Sequence, residues 1–284
     1  MEATTMRRRI EAFSRQMTAT ERRLAAALLA DYPFAGLDTI QSLAEQTRVS
    51  APTITRFVGK IGCRGYQDFQ RRLIAELKEG QRSPVDLRTA AGEGGLGTLA
   101  EFTVRAARAC EATGTAIAEA QFGRVVDLLG DDSRAVYVLG GRMSDAVALH
   151  LSRHLRQIRR SVHHLPSDPE QWPEYLLRMR SRDVLVLFDF RRYEARLDDL
   201  ARMTAGGPRA GIVLVTDKWL SPVAGRAAEV LAVPIEIGTA WDSSVGAIAL
   251  VEALIVAISE RDWDATQTRI EAWDRLRPPH GKDG

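Results

Sequence analysis

Beyond Leu129 the chain carries four short apolar, β-rich runs, at residues 135–139, 161–165, 184–188 and 212–215, and a shorter one at 230–234. A strand with one wet face alternates apolar and polar residues, whereas a continuous run must be buried on both faces. Helical patterns separate the runs, over 144–157, 173–179, 193–204 and 223–228. Strand and helix in alternation predict an α/β domain of doubly wound type, a parallel sheet with helices on both sides. The last helical stretch, 243–260, is apolar nearly all round and is predicted to be buried.

The front of the chain differs. From Met6 to about Lys78 the periodicity is helical with no alternating strand, so an all-α N-terminal domain is expected. Residues 7–16 read as a short helix. Thr18-Ala19-Thr20-Glu21 offers a capping Thr with Glu three residues on, which opens a helix over 21–31 that Tyr32-Pro33 ends. Between 80 and 97, five glycines and one proline with almost no hydrophobic period mark a linker. The expected organisation is a helical domain at 1–79, a linker at 80–97 and an α/β domain at 98–284. Residues 100–129 read as one or two helices, with Gly114 and Gly123 as possible breaks.

Charge divides along the same line. Residues 1–88 hold 15 Lys+Arg against 10 Asp+Glu, and the remainder 24 against 27. A basic front on an acidic body suits a polyanion met by the front alone, although scatter among surface charges gives the same count. Cys63 and Cys110 are too few for a disulfide framework or a four-ligand zinc site, and no metal or cofactor is expected. No segment reads as an export signal or a membrane span. The longest greasy stretch, 245–258, contains Glu252 and falls short of the ~20 residues that a span needs. A soluble, cytoplasmic protein is the expectation.

The sharpest local signal lies between Ile40 and Ile61. Leu43 and Ala44 belong to one helix, Val49 plugs a turn, and Ser50 caps a second helix with Pro52 in its first turn. Ile54, Phe57, Val58 and Ile61 fall on one face, leaving Ala51, Thr53, Thr55, Arg56 and Lys60 on the other. Small and polar residues at the start of a second helix are what a helix-turn-helix needs to reach base edges. Thr53 and Thr55 can bond bases or touch thymine methyls, and Arg56 can bond guanine or phosphate. Thr39, Ser50 and the first backbone N–H groups of each helix suit phosphates. Thr39, Ser50, Ala51, Pro52, Thr53, Thr55, Arg56 and Lys60 are thus the candidate contacts to double-stranded operator DNA. The competing reading is a small helical domain whose turn takes this form by chance.

These residues carry a resemblance. Thr20-Glu21-Arg22, the run from Val49 through Ser50-Ala51-Pro52-Thr53-Ile54-Thr55-Arg56 to Phe57, and Lys60-Ile61-Gly62-Cys63-Arg64-Gly65-Tyr66 resemble the N-terminal domain of the RpiR (MurR/RpiR) transcriptional regulators. In that family a sugar isomerase (SIS) domain follows, which implies an SIS-like α/β half here. It also implies a phosphosugar or other small anionic metabolite as effector, and a homodimer or homotetramer.

By position, Gly140-Gly141-Arg142-Met143-Ser144 resembles the first phosphosugar loop of SIS domains, a glycine turn that leads from strand to helix and aims N–H groups at an anion. A tight turn with no ligand is the plainer reading. The second family loop, Ser-x-Ser-Gly-x-Thr, corresponds here to Phe188-Asp189-Phe190-Arg191-Arg192-Tyr193. Its hydroxyls are gone. Arg191 and Arg192 either replace them as anion binders, or belong to a pocket that has lost phosphosugar binding, or serve a subunit interface. Asp189, Thr216 and, at the head of the last helix, Ser243 and Ser244 complete the candidate ligand set, with helix capping as the alternative role of the serines. No catalytic residue is assigned. His150, His154, His163, His164, Glu194, Glu236 and Glu252 are available to an isomerase, but none sits in a motif that fixes a role. A regulator is the primary reading. The alternatives are a phosphosugar isomerase with an accessory helical domain and a regulator whose α/β half only dimerises.

Overall fold

The computed structural model describes residues 5–30, 32–91 and 98–277. Five helices build the front: α1 (Met6–Phe13), α2 (Ala19–Ala30), α3 (Ile40–Thr47), α4 (Ala51–Lys60) and α5 (Tyr66–Gly80). The predicted helix over 7–16 tightens into a 3₁₀ turn at Ser14–Gln16. Thr18 and Glu21 form the expected capping box, Thr18 N–H donating to Glu21 at 2.8 Å and Glu21 N–H to the Thr18 hydroxyl at 3.3 Å. Met6, Ile10, Leu24, Leu28, Leu43, Val49, Ile54, Phe57, Val58, Phe69 and Leu73 bury together as one core. Gly36 is required there, because a Cβ would stand 2.4 Å from Leu73 Cδ1.

The linker is shorter than its composition suggests. Helix α6 (Pro84–Ala91) occupies much of it, started by Ser83, whose hydroxyl accepts from Asp86 N–H at 3.2 Å while Asp86 accepts from Ser83 N–H at 2.8 Å. Proline at the first helical position completes a start signal that the glycine count obscured. The rest of the predicted linker, 92–97, lies outside the described residues. Residues 100–129 form two helices, α7 (Leu99–Ala116) and α8 (Glu119–Gly130). The break falls at Ile117–Ala118 rather than at Gly114 or Gly123, both of which sit in helix with open space where a Cβ would be.

The sheet then follows: β1 (Val136–Gly140), α9 (Asp145–Ile158), β2 (Val162–His164), α10 (Trp172–Leu176), β3 (Val184–Phe188), α11 (Ala195–Gly206), β4 (Gly211–Thr216) and β5 (Glu229–Ala232). All pairings are parallel, in the order β2-β1-β3-β4-β5. The strands alternate between two apolar layers, as the continuous runs require. Val136, Val138, Val186, Phe188 and Val215 face α8, α9 and α12 (Val245–Arg261); Tyr137, Leu139, Leu185, Leu187 and Leu214 face Trp172 and the Leu197 and Leu200 side of α11. The helix expected over 223–228 is a single 3₁₀ turn, Pro222–Gly225, because Pro222 starts it and the chain must return at once to pair as β5. A final helix, α13 (Trp263–Leu276), follows α12. No helix among the described residues is long and apolar enough to cross a membrane.

Arg159 closes the bottom of this domain. Its side chain is buried, burial holds its pKa below the usual guanidinium range, and it donates to the backbone carbonyls of Leu129 and Arg134. One cation thus ties the end of α8 to the approach to β1. Replacing it by Ala leaves buried carbonyls without donors, a loss of roughly 3 kcal/mol. Urea unfolding of Arg159→Ala should show that drop, with Arg159→Lys recovering less than half because an ammonium cannot fork to both carbonyls.

Candidate DNA-reading face and effector crevice

The turn between α3 and α4 is set by Arg48, whose backbone takes the left-handed conformation (φ 51), letting Val49 N–H reach back to the Ala44 carbonyl at 3.1 Å. Arg23 braces the turn through the Arg48 carbonyl at 2.9 Å. Val49 is buried, so the plug expected from sequence is in place. Helix α4 then buries Ile54, Phe57 and Val58 and leaves Pro52, Thr55 and Arg56 exposed. Ser50 and Thr53 hydroxyls bond one another at 2.9 Å, and Arg56 Nη2 donates to the Thr53 hydroxyl at 3.3 Å. These three side chains form one polar cluster at the start of the helix, beside Ala51. Thr39 caps α3 by accepting from Ser42 N–H at 3.1 Å.

Lys60 is placed differently from the rest. Its ammonium donates to Glu21 at 2.7 Å, and that bond, aided by Thr18, holds the buried Glu21 carboxyl below the usual carboxylate range. Lys60 therefore joins the end of α4 to the start of α2.

In the α/β half, β1 lies between β2 and β3, so the chain winds one way to β2 and then crosses to β3. The loops that leave the C-terminal ends of β1 and β3 flank that reversal, where ligands of such sheets bind. Gly140 pairs with Phe188 in the register, which brings the two predicted ligand loops side by side. Gly140 cannot carry a side chain, since a Cβ would meet the Asp145 backbone at 2.5 Å. Ser144 faces inward, with its hydroxyl donating to the Phe188 carbonyl at 2.6 Å and accepting from Gly141 N–H at 2.9 Å. Asp145 accepts from Gly140 N–H at 3.0 Å and meets His164 Nε2 at 2.9 Å. The Arg142 N–H donates to Glu194. The glycine turn already holds two carboxylates supplied by the chain itself, Asp145 and Glu194.

The second loop, without the family's hydroxyls, is built on carboxylates and arginines. Arg192 takes a left-handed backbone (φ 69), the state that glycine adopts without strain. Asp189 accepts from the Ser221 hydroxyl at 2.5 Å and from Glu194 N–H at 3.2 Å, and burial pushes its carboxyl up to about 7. Asp217 is fully buried, raised by that burial, and accepts from the Tyr193 hydroxyl (2.7 Å), Arg191 N–H (2.6 Å) and Trp219 N–H (3.0 Å).

Arg191 is buried rather than open to a ligand. Its guanidinium lies 4.1 Å from the Trp219 ring centroid, donates to Glu236 at 3.0 Å and approaches Asp242 at 3.4 Å. Burial raises Asp242 to about 6; it pushes Glu236 up too, but the Lys218 and Arg191 bonds outweigh it and hold Glu236 below the usual range. Thr216 is fully enclosed, its hydroxyl accepting from Ser221 N–H at 3.2 Å, and Ser243 caps α12 by accepting from Val245 N–H at 3.3 Å. Ser244 is the N-cap residue of α12 and makes no side-chain cap bond. Of the predicted ligand residues, Gly140, Gly141, Arg142, Ser144, Asp189 and Arg192 come together at the loops. Thr216 and Ser243 bond backbone N–H groups of the framework, Ser244 is exposed with no cap bond, and Arg191 is buried with its Nε and Nη1 making no hydrogen bond.

Sequence reading had no view of where the two halves meet. The Arg192 N–H donates to the Gly80 carbonyl at 2.8 Å, and the Tyr193 ring and Trp219 Cβ pack 3.4 and 3.5 Å from where a Gly80 Cβ would stand. The last residue of the front domain's longest helix thus rests on the second ligand loop. A cavity of about 230 Å³ opens nearby, lined in part by Arg8, Thr115, Lys218, Trp219 and Glu236.

Two families match the chain: "Helix-turn-helix domain, rpiR family" over residues 4–80 and "SIS domain" over residues 131–257. No curated protein matches it. Among solved structures, the sugar isomerase domain of an RpiR transcription factor from Sphaerobacter thermophilus is 22% identical (TM-score 0.57), covering 63% of this chain and 98% of that one. The Vibrio vulnificus NanR protein, solved with ManNAc-6P, is 18% identical (TM-score 0.55) over 98% of this chain and 100% of its own. A sugar-phosphate isomerase fold from Listeria monocytogenes is 18% identical (TM-score 0.52), covering 62% and 96%. At such identities the likeness is one of fold. With both domains matched in order, the chain belongs to the RpiR family of DNA-binding transcriptional regulators, a helix-turn-helix domain followed by an SIS domain.

Proposed function

We propose that the SIS half senses a small anionic metabolite, a phosphosugar or a close relative, in the crevice between the loops after β1 and β3. Occupancy then sets the position of the DNA-reading head. The observation that carries this reading is the Arg192–Gly80 bond, which seats the head's last helix on the loop that borders the crevice. An effector that binds one arrangement of that loop better shifts the head by its difference in affinity. NanR, whose fold spans the whole chain, holds a phosphosugar, which supports the ligand class. We assign operator contacts to Thr39, Ser50, Ala51, Pro52, Thr53, Thr55 and Arg56. A homodimer would present two heads to half-sites about 10 bp or a multiple apart, and the exposed Leu99, Phe102 and Val104 on α7 favour self-association.

An enzyme reading draws less support. The crevice carboxylates are each engaged by the chain's own donors, and His163 is stacked on Tyr137 with its pKa lowered by burial. We take the chain to regulate rather than to turn over its ligand. A panel of phosphosugars incubated with the full chain should show binding without isomerisation.

Salt-controlled binding to DNA upstream of its own gene cluster tests the head. Arg56→Ala should weaken sequence-selective binding by about 10- to 100-fold, the ~1–3 kcal/mol of one good base contact. Lys60→Met should leave DNA affinity within a few-fold and instead lower the stability of the head, because Lys60 is held by Glu21. Equal losses for both variants would contradict the assignment.

Asp189 gives the sensor a pH signature. Folded, it is held up to about 7 by burial, whereas an unfolded Asp ionises near ~4. Its contribution to stability is complete below pH ~4 and is lost as pH rises through 7. Wild-type melting temperature should therefore fall between pH 5 and pH 8 more steeply than that of Asp189→Asn. Parallel curves would show that the carboxyl is not buried as described.

A further inference from the structure

Glu194, like Asp145 (30% exposed), is a crevice carboxylate that reaches solvent, and it crosses from the second loop to the first. Its side chain is 28% exposed, against the fully enclosed Asp217 and the nearly enclosed Asp189. One carboxylate oxygen accepts from the Arg142 N–H and lies 3.0 Å from where a Gly141 Cβ would stand; the other accepts from Arg196 Nε, whose Nη1 is anchored on the Ser167 carbonyl at 2.6 Å. Glu194 therefore lies against the glycine turn, where an anion would be met by backbone N–H groups, and it brings a cation with it. The guanidinium groups of Arg142 and Arg192, both exposed, make no ion pair among the described residues. Asp145 is taken by Gly140 N–H and His164, and Asp189 by Ser221 and Glu194 N–H, so these two guanidinium groups stand without a carboxylate partner among the described residues.

We propose that Glu194 is a resident competitor for the effector's anionic group: it fills the seat in the free protein and is expelled when an effector binds. The proposal rests on the anion-sensing reading above. Expulsion frees Arg196 and leaves Arg142 and Arg192 to meet the incoming charge. Glu194 also follows Tyr193, which packs on Gly80, and its own N–H bonds Asp189 at 3.2 Å. Drawing Glu194 out thus pulls on the segment that seats the reading head, so the competition that sets effector affinity also supplies the motion. Like the carboxylate, any successful effector must be an acceptor-rich anion, which selects for a phosphate or carboxylate-bearing metabolite over a neutral sugar.

The test is titration of the full chain with inorganic phosphate, in wild type, Glu194→Ala and Glu194→Gln, followed by calorimetry and by the Arg142 backbone amide resonance. The proposal expects phosphate to bind Glu194→Ala at least tenfold more tightly than wild type, Glu194→Gln to show a smaller gain, and the Arg142 amide to move on phosphate addition. Because Gln keeps the shape and an acceptor oxygen, it preserves the test should the Ala variant fail to fold. Equal affinities in all three proteins, with the Arg142 amide moving in each, would leave the anion-sensing reading standing and overturn the competitor. A gain in affinity with the Arg142 amide unmoved would place the phosphate elsewhere and overturn it also. No phosphate binding in any of the three would sink the seat itself, and with it both readings.

Discussion

Burying a parallel sheet on both faces is the constraint on which this molecule is built. Once Val136 to Leu139 and Val184 to Phe188 have no wet side, nothing along the strands can touch a ligand, and chemistry is confined to the loops at their ends. The reversal of winding between β1 and β3 opens one place there, and both loops that border it carry residues unlike a neutral turn. The edge that carries the two loops also receives the front domain. The helix that ends at Gly80 lies against Tyr193 and Trp219 and accepts the Arg192 N–H on its last carbonyl.

The chemistry of that edge is dominated by carboxylates under unequal control. Asp217 is fully enclosed by three donors, Asp189 is nearly enclosed by two, and Glu194 is partly exposed with a backbone N–H and one arginine. Arg191 sits among them as a structural cation, sandwiched between Trp219 and two acids. Buried charge of this kind contributes little net stability compared with well-packed apolar residues, but it fixes one arrangement of the loop. A loop held in one arrangement by charge is one that another charge can rearrange.

Much of this was legible in the residues. Continuous apolar runs gave the strands to within a residue or two, and the Ser50–Pro52 start with Ile54, Phe57 and Val58 gave the reading helix and its buried face. What stayed hidden was what depends on partners distant in sequence. Lys60 reads as a DNA contact because its helix position is exposed; only the fold brings Glu21, 39 positions earlier, within 2.7 Å. Arg191 reads as an anion binder because nothing in its neighbourhood names Glu236 and Asp242. Glu194 reads as one acid among several, since its meaning comes from the Arg142 N–H across two strands. One local signal was present: Ser83-Pro84 with Asp86 announces a helix inside a glycine-rich stretch.

The central claim is that effector crevice and reading head are one mechanical unit, joined where the Arg192 N–H meets the Gly80 carbonyl. Hydrogen exchange of the Arg192 amide in the full chain tests this most directly, measured free and with saturating phosphosugar. The account predicts strong protection in the free protein and a change in that protection on ligand binding. An Arg192 amide that exchanges as fast as an exposed loop residue in both conditions would contradict it.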